Sequence, residues 1–309
     1  MVLTGGWRVF TGALLLSAGV VAPATASADP GVCGSWDFVE LPVPPAVQSA
    51  GVVSGAGSFA VGNGSFSHID GTTVLVWKGG QLVDQLSFSR NTVWARDVNS
   101  SGVVVLSAYT FPAASRWQAG VYESLQGLPG EHRVEALDVN ERGDVLGLSA
   151  GKPVVWPAGS GVPQQVPGTD ASWKPVGIAD DGSVLATSAS GAHWIRSSGV
   201  VSLGDVQVRA VRGNYAVGAA DSKVVRWDVS GNVSGAFSFA AEALAVNSHG
   251  HVLGRANWGG TELWEDPDRS VPVPGSASFV SVTDEGDLYG SLSGSPATPL
   301  LLDCAGGVR

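Results

Sequence analysis

The chain has 309 residues, a formal net charge of −10 and basic residues that are scattered along its length. Contacts to phosphate depend on clustered Lys and Arg, so this charge pattern argues against a nucleic acid partner. The 43 glycines, the charged fraction of 14% and the many Val-rich runs are typical of short strands and turns. They exclude a fold built mainly from long amphipathic helices.

The N-terminus has the three parts of a secretory signal peptide. Arg8 precedes the apolar run ALLLSAGVVAP, and the small residues ASA follow at 26–28. This order predicts cleavage after Ala28, export and an extracellular location. A membrane anchor is the alternative, but it needs about 20 apolar residues and this run is shorter. We therefore expect residues 1–28 to be a signal peptide and 29–309 to form one domain without membrane insertion.

A strand-and-turn element recurs along the chain, as ALDVNERG at 136–143 and ALAVNSHG at 243–250. Asn and Gly tolerate positive φ at low cost, so the N-x-x-G part predicts a tight turn. The glycines of the seven copies are about 38 residues apart on average. They are Gly57, Gly102, Gly143, Gly182, Gly213, Gly250 and Gly286.

A second landmark, an apolar run that ends in Trp, follows most of these glycines, and a Val/Leu stretch then closes each unit. The tryptophans are Trp77, Trp117, Trp156, Trp194, Trp227 and Trp264, and Leu replaces Trp in the seventh copy. Four short strands per unit and seven units predict an all-β, seven-bladed β-propeller. A Trp in each unit indicates packing between blades. The small or acidic residues of the first strands are expected near the axis: Asp97, Asp138, Gly177, Ala245 and Ser281.

The two chain ends predict how the ring closes. The last unit stops after three strands, at TPLLLDC (298–304), and GSWDFVELPVP (34–44) resembles a closing fourth strand. We therefore expect the N-terminal strand to complete the last blade. The only two cysteines, Cys33 and Cys304, lie at these ends. In an exported chain they are expected to form a disulfide.

Three segments carry a resemblance to a known family: TTVLVWKGGQLVDQL (72–86), GAHWIRSSGVVSLG (191–204) and ALDVNERGDVLG (136–147). They are similar to the HAF-type extracellular repeat family of bacteria. The likeness spans most of 50–304; His193 alone matches the His of the HAF motif, and the units at Gly57 and Gly213 lack the Asn. The resemblance implies a secreted repeat protein of propeller type and carries no reaction.

Calcium and catalysis are the two chemical possibilities that the sequence offers. Asp97, Asn99, Asp138 and Asn140 alternate along two strand-and-turn elements, as oxygen ligands do in calcium loops. Alternatively, they hydrogen-bond their own turns, and no metal or other cofactor is then expected. No G-x-S-x-G elbow occurs, so no catalytic residue is assigned. A secreted hydrolase or lyase that uses carboxylates near the central channel, Asp97 and Asp138, is the alternative function.

Binding is the function that the loops favour. The loops between second and third strands open on the same face as the blade-to-blade segments, and the longest are NGSFSHIDGT (63–72) and SAYTFPAAS (107–115). Variable loops on a rigid scaffold often carry recognition, and aromatic side chains suit sugars and protein contacts. We predict a monomeric, secreted binding or scaffold module for an extracellular glycan or protein. Alternatively, some of these rings tuck beneath their own loops. The candidate ligand-binding residues are His68, Tyr109, Phe111, Trp173 and Trp258.

Overall fold

The computed structural model describes residues 33, 35–66, 71–89, 92–109, 113–294 and 296–305. Within these ranges, 28 strands form seven antiparallel sheets of four. The sheets contact one another in sequence around a ring, which confirms the predicted seven-bladed β-propeller. None of the described residues forms a helix that could cross a membrane. The predicted signal peptide, residues 1–28, lies outside the described residues.

Each blade consists of strands that follow one another in the chain, except that the first strand of the chain, β1 (Ser35–Glu40), belongs to the last blade. Blade 1 has β2 (Val47–Ala56), β3 (Phe59–Phe66), β4 (Gly71–Lys78) and β5 (Gln81–Ser89). Blade 2 has β6 (Val93–Val98), β7 (Val104–Ala108), β8 (Ala114–Gln118) and β9 (Val121–Ser124). Blade 3 has β10 (Val134–Val139), β11 (Val145–Ser149), β12 (Lys152–Trp156) and β13 (Gln164–Gln165). Blade 4 has β14 (Lys174–Ile178), β15 (Val184–Ser188), β16 (Gly191–Arg196) and β17 (Gly199–Gly204). Blade 5 has β18 (Gln207–Arg212), β19 (Tyr215–Ala220), β20 (Lys223–Asp228) and β21 (Val233–Phe237). Blade 6 has β22 (Ala240–Val246), β23 (Val252–Ala256), β24 (Thr261–Asp266) and β25 (Arg269–Val273). Blade 7 has β26 (Ser278–Val282), β27 (Leu288–Leu292), β28 (Thr298–Ala305) and β1.

The ring closes where the chain ends meet in blade 7. Strand β1 pairs antiparallel with β28, from Ser35 opposite Ala305 to Glu40 opposite Leu300. Beside this pairing, Cys33 and Cys304 form a disulfide, with their Cα atoms 5.4 Å apart and a sequence separation of 271. The completion of the last blade by the N-terminal strand and the disulfide were both predicted, and both are confirmed.

The recurring Gly and Trp residues have the structural roles expected of them. All seven repeat glycines have positive φ, between 49° and 91°, in the turn after the innermost strand. Side chains other than Gly rarely adopt this conformation. The six tryptophans are at most 4% exposed. The indole of Trp156 also donates a hydrogen bond to the carbonyl of Gln126, 2.8 Å away, so it joins blade 3 to the segment that follows blade 2.

Each innermost strand has an irregularity at the same place. Its register with the second strand shifts by one residue, as between Ala136 and Asp138 in β10 and between Pro175 and Gly177 in β14. A bulge of this kind bends the strand and redirects a side chain. The residues after the seven bulges surround the axis, and they are Ser54, Asp97, Asp138, Gly177, Ala210, Ala245 and Ser281. The prediction that small or acidic residues lie there is thus confirmed.

Blade 1 differs from the sequence interpretation of 63–72 as one long loop. Strand β3 continues to Phe66 and β4 begins at Gly71, so the segment is mostly an extended hairpin. Its polar residues serve the neighbouring blade. Asn63 Oδ1 accepts a 2.8 Å hydrogen bond from the Ala95 amide, and the Thr72 hydroxyl donates to the Val93 carbonyl at 2.7 Å. These contacts satisfy the backbone of β6 and hold blades 1 and 2 together.

Candidate functional site

The propeller has two faces that differ in their connections. The side that carries the loops between second and third strands and the blade-to-blade segments is here called the loop face. The side that carries the N-x-x-G turns is called the turn face. A cleft of about 1280 Å³, here named the loop-face cleft, lies over blades 1 to 4. Its lining includes Trp94, Tyr109, His132, Arg133 and Lys174. Large, partly polar clefts on rigid folds are the usual places where ligands bind.

Two aromatic rings stand at the blade 2 side of this cleft. The Tyr109 side chain is 84% exposed, and its ring lies edge-to-face with that of Trp94, with centroids 4.6 Å apart. The contact holds a very exposed tyrosine against a second ring. An amphipathic aromatic side chain in such a position has one apolar surface available to a ligand.

The charged residues of the cleft do not balance. Arg96 forms a 2.6 Å ion pair with Glu135, and both side chains are partly exposed. Among the described residues, Arg133 and Lys174 have no carboxylate within 4.0 Å. Glu135 is also the one carboxylate of the cleft lining. Within the described part of the chain, the cleft therefore carries two positive charges that no carboxylate pairs with.

The predicted ligand-binding residues fall into three groups. Tyr109 lines the loop-face cleft. Trp258 is 63% exposed on the loop of blade 6, with its ring centroid 6.2 Å from that of Phe239. Trp173 is partly buried and packs against His193, with ring centroids 5.2 Å apart. His68 and Phe111 lie outside the described residues. Among its described residues, the loop face thus has two aromatic pairs with at least one exposed ring, on blades 2 and 6, and one ring tucked beneath its loop.

The central channel continues from the cleft toward the turn face. Arg96 and Leu137 line both the cleft and the channel, whose volume is about 190 Å³. Arg212 spans the channel from blade 5 to blade 2. Its guanidinium donates a 3.0 Å hydrogen bond to the Val98 carbonyl and lies 3.5 Å from Asp97 Oδ2.

The two channel carboxyls hold neighbouring blades together. Asp97 Oδ1 accepts a hydrogen bond from the Ser54 hydroxyl of blade 1, and Oδ2 accepts one from the Val139 amide of blade 3 at 3.1 Å. Asp138 repeats this contact one blade further, because its Oδ2 accepts a 2.7 Å hydrogen bond from the Ile178 amide. Each carboxylate therefore bonds to a backbone N–H near the bulge of the next blade.

The channel shifts the pKa values of two of its groups. Burial, and the neighbouring Asp97, raise the pKa of Asp138 well above its usual range. Burial lowers the pKa of Arg212, but the carboxylates around it, led by Asp97 and Glu141, outweigh this effect and raise it. The arginine thus stays charged at the centre of the ring, and Asp138 favours its protonated form.

The candidate calcium ligands have hydrogen-bond partners in the protein. Asn99 Oδ1 accepts from the Val103 amide at 3.0 Å, and Asn140 Oδ1 accepts from the Asp144 amide at 2.9 Å. The amide nitrogen of Asn140 donates to the carbonyl of Ala179 in the next blade at 3.0 Å. Among the described residues, no group of three His, Cys, Asp or Glu side chains is placed to hold a metal ion. Asn99 and Asn140 thus support their own turns, whereas Asp97 and Asp138 bond to neighbouring blades.

Sequence reasoning missed a serine–histidine contact in blade 4. The Oγ atoms of Ser190 and Ser188 lie 3.0 and 3.3 Å from Nε2 of His193. Nδ1 of this buried histidine has no hydrogen-bond partner among the described residues. A nucleophile and base normally need a third group that orients the base, and no such group contacts Nδ1 here.

Other important residues also escaped the sequence interpretation, chiefly the cations Arg133, Lys174 and Arg212. Arg133 precedes the inner strand β10, and Lys174 begins β14. Basic residues at the starts of first strands were therefore a usable signal, because those strands begin on the loop face. Arg212 gave no comparable signal, since its partner Asp97 is 115 residues away in the sequence.

No protein-family model matches the chain, and no curated protein is significantly similar to it. Several solved structures share its fold. A catalytically inactive virginiamycin B lyase from Staphylococcus aureus, solved with quinupristin, has a TM-score of 0.57 at 11% identity, over 87% of this chain and 99% of the lyase chain. A chain of the mitotic checkpoint complex has a TM-score of 0.55 at 10% identity, over 96% of this chain and 99% of that chain.

An extracellular domain from B. thetaiotaomicron, described as part of a one-component system, has a TM-score of 0.51 at 8% identity, over 87% of this chain and 40% of that chain. At such identities the likeness concerns the fold alone. The fold serves an enzyme in one of these structures and an extracellular domain in another, so function has to be argued from the site.

Proposed function

We propose that the protein is an exported binding or scaffold module that captures an extracellular glycan or protein on its loop face. The observation that carries this proposal is two aromatic pairs on one face, exposed Tyr109 with half-buried Trp94, and Phe239 with Trp258, both exposed. They lie on blades 2 and 6, so the channel mouth is between them. Exposed aromatic residues grouped on one face are typical of a binding surface.

Export is the second part of the proposal. It is supported by the Cys33–Cys304 disulfide, since such bonds persist in oxidising compartments. The signal-peptide pattern of residues 1–28 and the resemblance to HAF-type extracellular repeats support it from the sequence. We include membership of that repeat family in the proposal.

The binding proposal is tested by removing the exposed rings. Tyr109→Ala and Trp258→Ala should each weaken capture of the ligand about ten-fold, because a buried aromatic contact is worth roughly 1–2 kcal/mol or more. Neither change should lower the melting temperature appreciably, since both side chains are largely exposed. The measurement is binding of the purified protein to a glycan array and to extracellular protein fractions, followed by titration of each hit.

The matched control is Tyr122→Ala. Tyr122 is a tyrosine of the same blade, and it lies on the outermost strand β9. Capture should survive this change. Capture that is indifferent to both Tyr109→Ala and Trp258→Ala would remove the loop face from consideration.

A second candidate function, a hydrolase or lyase, is favoured by one observation in the channel. Asp138 has a raised pKa beside Asp97, and two carboxyls in unequal protonation states can act as acid and base. Their hydrogen bonds to Val139 and Ile178 give the same residues a structural task. Turnover of an extracellular polymer that Asp138→Asn abolishes, with the fold and ligand capture intact, would establish the enzyme.

A further inference from the structure

We propose that the loop-face cleft binds the carboxylates of an acidic polysaccharide, so that the ligand is a glycan that contains uronic acids. This inference rests on the proposed binding function and specifies the ligand class of the same face. The juxtaposition that carries it is an aromatic pair, half-buried Trp94 and exposed Tyr109, in one cleft with Arg133 and Lys174, two cations that pair with no described carboxylate.

The charge of the cleft is opposite to that of the protein. The formal net charge is −10, yet the cleft lining has three Lys or Arg residues and one carboxylate. Glu135 is already paired with Arg96. The cations of the described lining that are left to bind a ligand are therefore Arg133 and Lys174. The planar fork of an arginine matches a carboxylate through two parallel hydrogen bonds, whereas a lysine acts as a compact point charge.

The position of Arg133 is fixed by the blade beneath it. Its carbonyl accepts a 2.7 Å hydrogen bond from the Ala150 amide, so the segment before β10 is tied to the loop between β11 and β12. Gly151 in that loop has a φ of 84°, and its neighbourhood includes the Arg133 guanidinium. A cation on a tied backbone loses less freedom on binding than one on a free loop.

The aromatic pair explains why a sugar is favoured over an acidic peptide. The most exposed ring of the cleft, Tyr109, is held edge-to-face against Trp94 in place of closing over a pocket. An open ring surface of this kind suits the flat apolar face of a pyranose. Cations beside it bind the carboxylate at the sugar's edge.

The channel below limits how deeply an anionic ligand can enter. Beyond the shared residues Arg96 and Leu137, the channel is lined by Asp97 and Asp138 and is narrow, at about 190 Å³. Among the described channel residues, Arg96 and Arg212 are already paired with carboxylates, so neither offers a free cation to an anionic ligand. The polysaccharide is therefore expected to lie across the cleft, over blades 2 to 4, and not along the ring axis.

The test compares polygalacturonate with its methyl ester, because the two have the same backbone and differ in charge. The mature protein should bind the free acid at least ten-fold more tightly than the ester, and the preference should fall as salt is raised to 0.5 M, since salt screens exposed charges. The double variant Arg133→Gln/Lys174→Gln should lose about ten-fold in affinity for the acid and keep its affinity for the ester. Lys223→Gln, an exposed lysine of blade 5, is the control and should change neither.

The outcomes separate this inference from the proposed function. Equal affinity for acid and ester, or an acid preference that survives the double variant, overturns the inference while binding through Tyr109 stands. Capture of poly-glutamate but not of any uronate polymer also overturns it and makes the ligand an acidic peptide. If instead the rings at Tyr109 and Trp258 prove irrelevant to every ligand found, the proposed function itself fails.

Discussion

Asp97 and Asp138 occupy equivalent positions in neighbouring blades, but their surroundings give them different tasks. Asp97 pairs with Arg212, which crosses the channel to reach it. Asp138 is left beside a carboxylate that already has a counterion, so burial and repulsion raise its pKa. The negative charge of Asp97 is thus compensated by Arg212 from blade 5, whereas Asp138 avoids a negative charge by keeping its proton.

This asymmetry predicts opposite effects of two equivalent substitutions. The folded-state pKa of Asp138 is above its unfolded value, so its contribution to stability is present at acid pH and is lost as the pH rises through the folded pKa. Asp138→Asn should therefore be neutral in acid and stabilising at alkaline pH, because Asn mimics the protonated acid. Asp97→Asn removes one of the two carboxylates that pair with Arg212, the other being Glu141, and should cost about 3 kcal/mol at neutral pH.

The measurement is the free energy of unfolding of both variants and the parent from pH 4 to 9. A stabilisation by Asp138→Asn that does not grow with pH would show that this carboxyl is ionised in the folded protein. The parent and Asp97→Asn serve as references for the general effect of pH on the ring.

At the scale of the element, the N-x-x-G turn joins one blade to the next as well as reversing the chain. In blade 6, Asn247 Oδ1 accepts a 2.8 Å hydrogen bond from the His251 amide, and its amide nitrogen donates to the Thr283 carbonyl of blade 7 at 2.9 Å. Asn99 and Asn140 make the same two kinds of contact. A buried Asn in this turn is therefore a structural requirement of the repeat.

Replacing such an Asn should be costly and independent of metal. Asn247→Ala leaves a buried amide and a buried carbonyl without partners, which should lower the free energy of unfolding by about 2 kcal/mol. The exposed Asn257→Ala is the control and should cost much less, although it also loses a hydrogen bond, to the Ser238 carbonyl. Both changes are measured by denaturant unfolding.

The same experiment includes calcium. With EDTA, the parent should keep its melting temperature, because Asn99 and Asn140 already donate to and accept from the protein. A drop on chelation that is absent in Asn140→Ala would instead make this asparagine a metal ligand.

Whether a structural feature could be predicted from the sequence depends on whether its contacts are local or distant along the chain. Gly143 and Trp156 were predictable because their roles repeat along the chain. A glycine with positive φ follows each innermost strand, and a buried Trp ends the third strand of most blades. The hairpin of Asn63 and Thr72 was mistaken for a loop, because its polar side chains serve a neighbouring blade. Arg212 was missed, since its contact with Asp97 exists only once the ring has closed. The aromatic part of the candidate site was predictable at Tyr109. The cations Arg133 and Lys174 could have been noted at the starts of their strands, but that they share one cleft with Tyr109 depends on how blades 2 to 4 face one another.

At the scale of the whole molecule, stability depends on the seam in blade 7. Six residue pairs join β1 to β28, and the disulfide lies beside them. Every other blade consists of neighbouring strands, so this is the one sheet that requires both ends of the chain. The seam is therefore where the ring of the described residues is expected to open first.

Removing the disulfide should weaken the ring without changing its architecture. In the chain-entropy model, a crosslink across so long a loop is worth on the order of 5 kcal/mol. Cys33→Ser/Cys304→Ser should lower the free energy of unfolding by up to that amount, and reduction of the parent should have the same effect. Thermal unfolding with and without reductant provides the measurement. An unchanged double variant would mean that β1 alone secures the seam.

The position of β1 in the last blade also has a consequence for biosynthesis. Strand β1 is made before the other described strands, but the strand it pairs with, β28, is the last of them to be made. Until β1 pairs with it, blade 7 lacks its outer strand, and β28 has an open edge that could pair with another chain. Bringing together segments so far apart is slow, because the loop-closure entropy is lost before any contact compensates for it. A polypeptide truncated before 298 could still form six blades, but it would have no partner for β1, so blade 7 is complete only once β28 has been made.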